Sequence, residues 1–275
     1  MRYWTLAVVP FLWTALMLAG HLALAGTPGD AVFMRTQLEL AKALALAGGL
    51  VAALGFGRGE YLRRAWLLIG GCMALLLLRD LTLLPPLAGA LPPRTMATVR
   101  GLIVVTGNVS QIWGTWILAR AWKVAALELP VSRTVQVLLT VGMIVAVAAV
   151  TAPGVVENVS RIGAGEPEAL AGLASALGDG LALCLIVPLL LTALALRGGL
   201  FGWPFSLLTT SYLAWLLYDF TVALGPSLGL DPAARRSISE AFRALGCLFG
   251  FSAGLAQRLV IEHLRPAAAE HQTAV

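Results

Sequence analysis

Five ionisable side chains stand inside long apolar stretches of this sequence, where a charge is unexpected. They are Arg79, Asp80, Asp179, Asp219 and Arg243. Such a group costs about 2.5–3.5 kcal/mol when it enters hydrocarbon, so it marks a functional site or an internal ion pair. Because three carboxylates accompany two guanidinium groups, one acid is left to take up a proton or bind a cation. The chemistry expected is therefore the binding or exchange of an ion or a small charged ligand.

Neutral polar and aromatic side chains occur at helical spacing in the same kind of stretch. Asn108 and Gln111 stand at i and i+3, and Tyr212, Trp215 and Asp219 stand at i, i+3 and i+7. Each set shares one face of a helix. We predict that these faces turn inward and form an intramembrane pocket lined by Asp179, Asp219, Arg243, Arg79, Asp80, Asn108, Gln111, Tyr212 and Trp215.

Further aromatic and charged residues flank this predicted pocket. Trp113, Trp116 and Tyr218 lie away from the membrane interface, and aromatic rings beside buried carboxylates are expected to line a binding cavity. Glu39 and Lys42 stand at i and i+3 near the outer end of a helix. We interpret them as a pair on a solvated face.

A purely structural network is the alternative explanation of the same charges. In that interpretation Arg243 pairs with Asp219 or Asp179, and Arg79 pairs with another of these acids. Arg79 and Asp80 are not expected to pair with each other, because neighbouring residues diverge by about 100° around a helix. The spacing alone leaves both interpretations open.

The composition requires that most of the chain lies in a lipid bilayer. Of 275 residues, 59% are hydrophobic and 12% are charged, with a mean hydropathy of +0.86. A water-soluble fold has about 25% charged residues and could not cover so much apolar surface. The net charge of +5 comes from residues in short loops, with no polybasic arm, so we expect no nucleic-acid partner.

The apolar runs predict an all-α, polytopic transmembrane helical bundle that occupies residues 1–264 as a single domain. A span needs about 20 apolar residues. Eight stretches qualify, near 4–25, 39–57, 65–84, 101–121, 135–153, 169–196, 205–225 and 238–261. Pro188 is expected to kink the sixth. Residues 265–275 are predicted to form a short disordered cytoplasmic tail.

The Lys and Arg distribution predicts the orientation. Ten basic residues fall on the side of both termini and seven on the other, where acids offset them. This bias places both termini in the cytoplasm and makes the pocket outward-facing. Seventeen arginines against two lysines are typical of a GC-rich genome, so we expect a bacterial inner (plasma) membrane. If the first span is a signal cleaved after Ala23-Leu24-Ala25, seven helices remain.

Three functions fit these features. We favour a sensor-like or accessory subunit that binds a small ligand, a proton or a cation from the extracytoplasmic side. Such a subunit would act through a membrane or cytoplasmic protein partner. A secondary transporter or proton-coupled permease is the alternative, although the sequence has no detectable inverted repeat.

An intramembrane aspartyl hydrolase is the third. Tyr218-Asp219 and Leu177-Gly178-Asp179 resemble the two motifs of presenilin-type proteases, but their order is reversed and Ala176 replaces a glycine. We expect no catalytic residue, no metal and no cofactor, because the cysteines lack metal spacing and no membrane histidine pair could hold haem.

Overall fold

The chain forms a bundle of α-helices in a computed structural model that describes residues 3–126, 128–166 and 169–273. No β-strand occurs within these ranges. In chain order the helices are α1 (Tyr3–Leu24), α2 (Pro28–Gly55), α3 (Tyr61–Leu81), α4 (Pro85–Ala88), α5 (Pro93–Ala119), α6 (Ala121–Val124), α7 (Arg133–Gly163), α8 (Ala169–Cys184), α9 (Ile186–Ala195), α10 (Gly202–Leu224) and α11 (Pro232–Thr273).

Eight helical segments of the described chain are long and apolar enough to cross a membrane. They are α1, α2, α3, α5, α7, α8 with α9, α10, and α11 up to Leu264. The predicted all-α bundle of eight spans is thereby confirmed. Because the described residues contain eight such segments, α1 begins and the last segment ends on the same side of the bundle.

Several helices extend beyond the apolar runs that predicted them. Helix α2 begins at Pro28 and α5 at Pro93, whereas the apolar runs begin near 39 and 101. A proline stands in the first turn of both helices, where its fixed φ is compatible with a helix and no N–H is needed. Hydropathy therefore located the membrane-crossing part of each helix and missed its polar ends.

The sixth span is broken where Pro188 was expected to kink it. Helix α8 ends at Cys184 and α9 begins at Ile186, with Leu185 between them. Pro188 has no N–H for the carbonyl of Cys184, four residues earlier, so the regular hydrogen-bond pattern is interrupted there. The half of the span that carries Asp179 can thus take a different direction from α9.

The segment predicted as a disordered tail continues the last helix. The backbone of α11 is helical up to Thr273, and residues 274 and 275 lie outside the described residues. That residues 265–275 form a short disordered cytoplasmic tail stays a prediction.

Six of the spans surround the interior of the bundle, and two lie outside it. Around the interior, α2 packs on α3, α3 on α5, α5 on α8, α9 on α10, α10 on α11, and α11 on α2. Helix α1 lies outside against α11 and α2, and α7 lies outside mainly against α8. Helices α8 and α10 touch little, so the interior is less tightly closed there than between α9 and α10.

The two ends of the bundle differ in their loops. We call the end with the α2–α3, α5–α7 and α9–α10 loops the basic end, since it carries Arg58, Arg63, Arg120, Lys123 and Arg197. We call the other end, with the α1–α2, α3–α5, α7–α8 and α10–α11 loops, the cavity end.

Glycines bring α2 and α11 into backbone contact in the half of the bundle nearer the basic end. A Cβ placed on Gly254 would lie 2.2 Å from the carbonyl oxygen of Gly48, and a Cβ on Gly48 would lie 2.7 Å from Cα of Phe251. Only glycine permits such an approach, as in small-residue contacts between membrane helices generally. In the half nearer the cavity end, the described residues of α2 and α11 make no such glycine contact, and a cavity lies there.

Candidate ligand-binding cavity

A cavity of about 240 Å³ lies among α2, α3, α5, α8, α10 and α11. Eight of the nine predicted site residues line it: Arg79, Asn108, Gln111, Asp179, Tyr212, Trp215, Asp219 and Arg243. Pockets for drug-sized ligands measure roughly 300–1,000 Å³, so this one suits a smaller molecule. The ninth predicted residue, Asp80, is buried behind the wall, in contact with Lys42 and Arg79.

Lys42 and Asp80 join α2 to α3 beside the cavity. The Lys42 ammonium pairs with Asp80 Oδ2 and also lies 3.0 Å from Glu39 Oε1. The prediction that Lys42 lies on a solvated face is wrong, because Lys42 is only 2% exposed and lines the cavity. A buried lysine needs a carboxylate partner, and Asp80 of the neighbouring helix supplies it.

Arg79 pairs with its own neighbour in the sequence. Its Nε and Nη2 atoms donate to Asp80 Oδ1 over 2.8 and 2.6 Å. The expectation that these two residues do not pair is therefore wrong. Residues i and i+1 do diverge at their Cβ atoms, but the long, flexible arginine side chain spans the difference. The pairing of Arg79 with Asp179 or Asp219 that a structural network implied does not occur among the described ion pairs.

Arg243 likewise has a partner on its own helix. Its Nε atom lies 2.9 Å from Glu240 Oε2, at i and i−3 on α11. The structural network predicted Asp219 or Asp179 as the partner, and the structure corrects that assignment. Glu240 lies one turn toward the cavity end, a distance at which helical side chains are neighbours. Each of the three cations that line the cavity thus pairs with an acid outside the lining.

Asp179 and Asp219 are the two carboxylates that line the cavity, and neither has a cation partner in the described part of the chain. Asp179 accepts a weak hydrogen bond of 3.4 Å from Ser175 Oγ, one turn earlier on α8. Asp219 on α10 has no hydrogen bond among the residues that the structure describes. The wall formed by α8 and α10 therefore carries two acidic side chains without a cation partner among the described residues.

A hydrogen-bonded group formed by α5 and α10 lies deeper in the cavity. The Tyr212 hydroxyl accepts from Gln111 Nε2 and shares a second hydrogen bond with Thr115 Oγ1. Gln111 Oε1 is buried and has no partner in the structure. Asn108 Nδ2 donates to the backbone carbonyl of Ser175 over 3.2 Å, which ties α5 to α8 beside Asp179. The faces predicted from spacing on α5 and α10 do turn toward each other.

Two aromatic rings stand beside Asp219 in the lining. Trp215 and Tyr218 meet edge to face, with ring centroids 5.7 Å apart and planes at 76°. Trp113 and Trp116 were also expected to line a cavity, but they are 62% and 45% exposed and lie on the outer surface. Both belong to α5, whose inner face is already occupied by Asn108 and Gln111.

Sequence reasoning missed part of the lining. Cys72, Ser175 and Lys42 line the cavity but were not predicted as site residues. Ser175 precedes Asp179 by four residues, a spacing that could have identified it. No sequence pattern links Lys42 to Asp80, because that pair depends on how α2 packs against α3.

No protein-family model, curated protein or solved structure matches the chain.

Proposed function

We propose that this chain is a multi-pass protein of a bacterial inner membrane that binds a small cationic ligand in its intramembrane cavity. It would act there as a sensor-like or accessory subunit for a membrane or cytoplasmic partner protein. The observation that carries the proposal is the imbalance of charge in the cavity. Lys42, Arg79 and Arg243 have acidic partners, whereas Asp179 and Asp219 have no cationic partner among the described residues.

The aromatic rings favour an organic ammonium group as the ligand's cation. Ammonium groups are attracted to the faces of Trp and Tyr rings, and the effect is strongest when water is excluded. Trp215 and Tyr218 meet edge to face in the cavity lining, beside Asp219. A carboxylate and two rings together recognise both the charge and the methyl or methylene groups of an amine.

The distribution of basic residues supports the proposed orientation. Arg58, Arg63, Arg120 and Lys123 lie at the basic end, which the positive-inside rule assigns to the cytoplasm. The cavity end would then face outward, and the ligand would enter from the extracytoplasmic side.

The test is thermal unfolding of the detergent-purified chain with choline, tetramethylammonium, putrescine, Na⁺ and K⁺. A ligand at 100 times its Kd stabilises a protein by about 2.7 kcal/mol, a shift of several degrees in Tm. We expect an amine to raise Tm in the wild type and to have no effect in Asp219→Asn or Asp179→Asn. Glu166→Gln is the matched control, since Glu166 is an exposed acid paired with Arg161 outside the cavity. The proposal fails if no cation shifts Tm, or if the Asp219→Asn protein responds as the wild type does.

A secondary transporter is the second candidate, and one observation favours it. A smaller cavity of about 20 Å³ shares Gln111, Trp215 and Met73 with the main one and extends to Trp66, nearer the basic end. This volume holds about one water, and the buried Trp66 Nε1 and Gln111 Oε1 both lack a partner there. Transport predicts uptake of the same amine into liposomes, whereas sensing predicts binding without flux.

A further inference from the structure

Outside the cavity, three polar side chains from three helices form a hydrogen-bonded chain at the cavity end. Asp30 Oδ1 of α2 lies 2.6 Å from His21 Nδ1 of α1, and His21 Nε2 lies 2.9 Å from Ser237 Oγ of α11. His21 and Asp30 are 20% and 23% exposed, so molecules at the membrane surface reach them. We call these three residues the Ser237 relay.

The order of atoms in the Ser237 relay is that of a base-activated serine. An ionised carboxylate only accepts hydrogen bonds, so Asp30 holds the imidazole proton on Nδ1 of His21. The lone pair of Nε2 then faces Ser237 Oγ at 2.9 Å, within the range that proton transfer requires. The carbonyl oxygen of Ala233, 3.0 Å away, is the other acceptor for the serine hydroxyl.

We propose that Ser237 is a nucleophile that becomes acylated by carboxylic esters at the membrane surface. Its Oγ bonds to the ester carbonyl carbon while its proton passes to His21 Nε2. The ester C–O bond then breaks, and the alcohol leaves with that proton. Water attacks the acyl-serine next, gives a proton to His21 Nε2 and releases the carboxylic acid, and the proton returns to Ser237 Oγ.

The position of the Ser237 relay indicates the class of substrate. His21 stands three residues before the end of α1, Asp30 is in the first turn of α2, and Ser237 is in the second turn of α11. At about 1.5 Å per residue the relay lies within ~8 Å of these helix ends. That is the interfacial zone, where amphiphiles carry their ester groups. Leu22 and Val32 are 74% and 67% exposed beside it, so a lipid acyl chain can lie against this surface.

The start of α11 also predicts that the reaction is slow. An acyl-transfer site needs N–H groups that stabilise the oxyanion, and loss of one such donor costs about 10²–10³ in rate. The N–H groups of Ala233 and Ala234 are taken by Asp231 Oδ1 at 2.9 and 3.0 Å. We therefore expect one acylation per molecule over minutes to hours, without rapid turnover.

The experiment is labelling of the full-length, detergent-purified chain with a fluorophosphonate probe, followed by mass spectrometry of the modified peptide. We expect the wild type to be labelled at Ser237, and labelling to be absent in Ser237→Ala and at least about 100-fold slower in His21→Gln. Ser239→Ala is the matched control, because Ser239 lies two residues further along α11 and, among the described residues, bonds only to the Arg236 carbonyl.

Two results would overturn the inference. One is wild-type protein without label on Ser237 after a day, which needs no variant and is independent of how any variant folds. The other is labelling of folded His21→Gln at the wild-type rate. Labelling of Ser237 and the amine-dependent shift in Tm are measured in separate assays that depend on different residues, so failure of the cavity proposal and failure of this one are separate outcomes.

Discussion

Helix α11 passes through two regions of the bundle that are held together in opposite ways. Nearer the basic end it touches α2 through the backbones of Gly254 and Gly48. Nearer the cavity end the same helix carries Glu240 and Arg243, and its neighbours stand apart around polar space. Close packing in one half therefore permits a cavity in the other, since the packed half sets the helix positions.

The largest loss of stability is expected when α2 and α11 are forced apart at their closest point. Gly254→Leu would place side-chain atoms on the Gly48 backbone, which cannot move aside as a side chain can. We expect a loss beyond the ~1–3 kcal/mol of ordinary overpacking, measured as a large fall in Tm and in monodisperse yield in detergent. Gly142→Leu on α7 is the control, because a Cβ there meets no atom within 4 Å. Similar losses of Tm and yield in both variants would show that the contact between Gly254 and Gly48 does not determine the stability of the bundle.

The next largest effect is expected from the charge pairs of the cavity half. Asp80→Asn leaves Lys42 and Arg79 without their common carboxylate. Removing one partner of a buried ion pair costs about 3–5 kcal/mol. Denaturation in detergent should show this loss, whereas Glu166→Gln, which breaks an exposed pair with Arg161, should cost at most about 1 kcal/mol. A double variant Lys42→Met, Asp80→Leu should recover part of the stability, and its failure to do so would argue against the ion pair as the cause.

A smaller effect is expected from the neutral hydrogen bonds beneath the charges. Tyr212→Phe removes the hydroxyl that bonds Gln111 and Thr115 and leaves both buried groups unsatisfied, at a cost of about 1–3 kcal/mol. Tyr61→Phe removes a hydroxyl that donates to the Ile117 carbonyl near the basic end, where Tyr61 is 42% exposed. In thermal unfolding, Tyr61→Phe should lower Tm less than Tyr212→Phe does. The reverse order would mean that the cavity half is not stabilised by these bonds.

The predictions from sequence succeeded where a single helix decides the outcome. Spans follow from the length of apolar runs, and the inward faces of α5 and α10 follow from i, i+3 and i+7 spacing. The break before Pro188 follows from the missing N–H of proline. The predictions failed for pairings between side chains, as for Lys42, Arg79 and Arg243, because a pairing depends on rotamers and on the neighbouring helix.

The Ser237 relay is the clearest case of side-chain contacts between helices that the sequence did not predict. Its members stand at positions 21, 30 and 237, and nothing in their spacing brings them together.

By itself the sequence determined that this chain is a bundle of eight membrane-spanning helices with polar groups in one half. Those features depend on the transfer of each side chain between water and hydrocarbon, which is a property of local sequence. Only the tertiary structure decided which charges are paired and which carboxylates lack a cation partner among the described residues. That outcome depends on a few ångströms between helices that are far apart in sequence, and an electrostatic interaction in a low dielectric changes steeply over such distances.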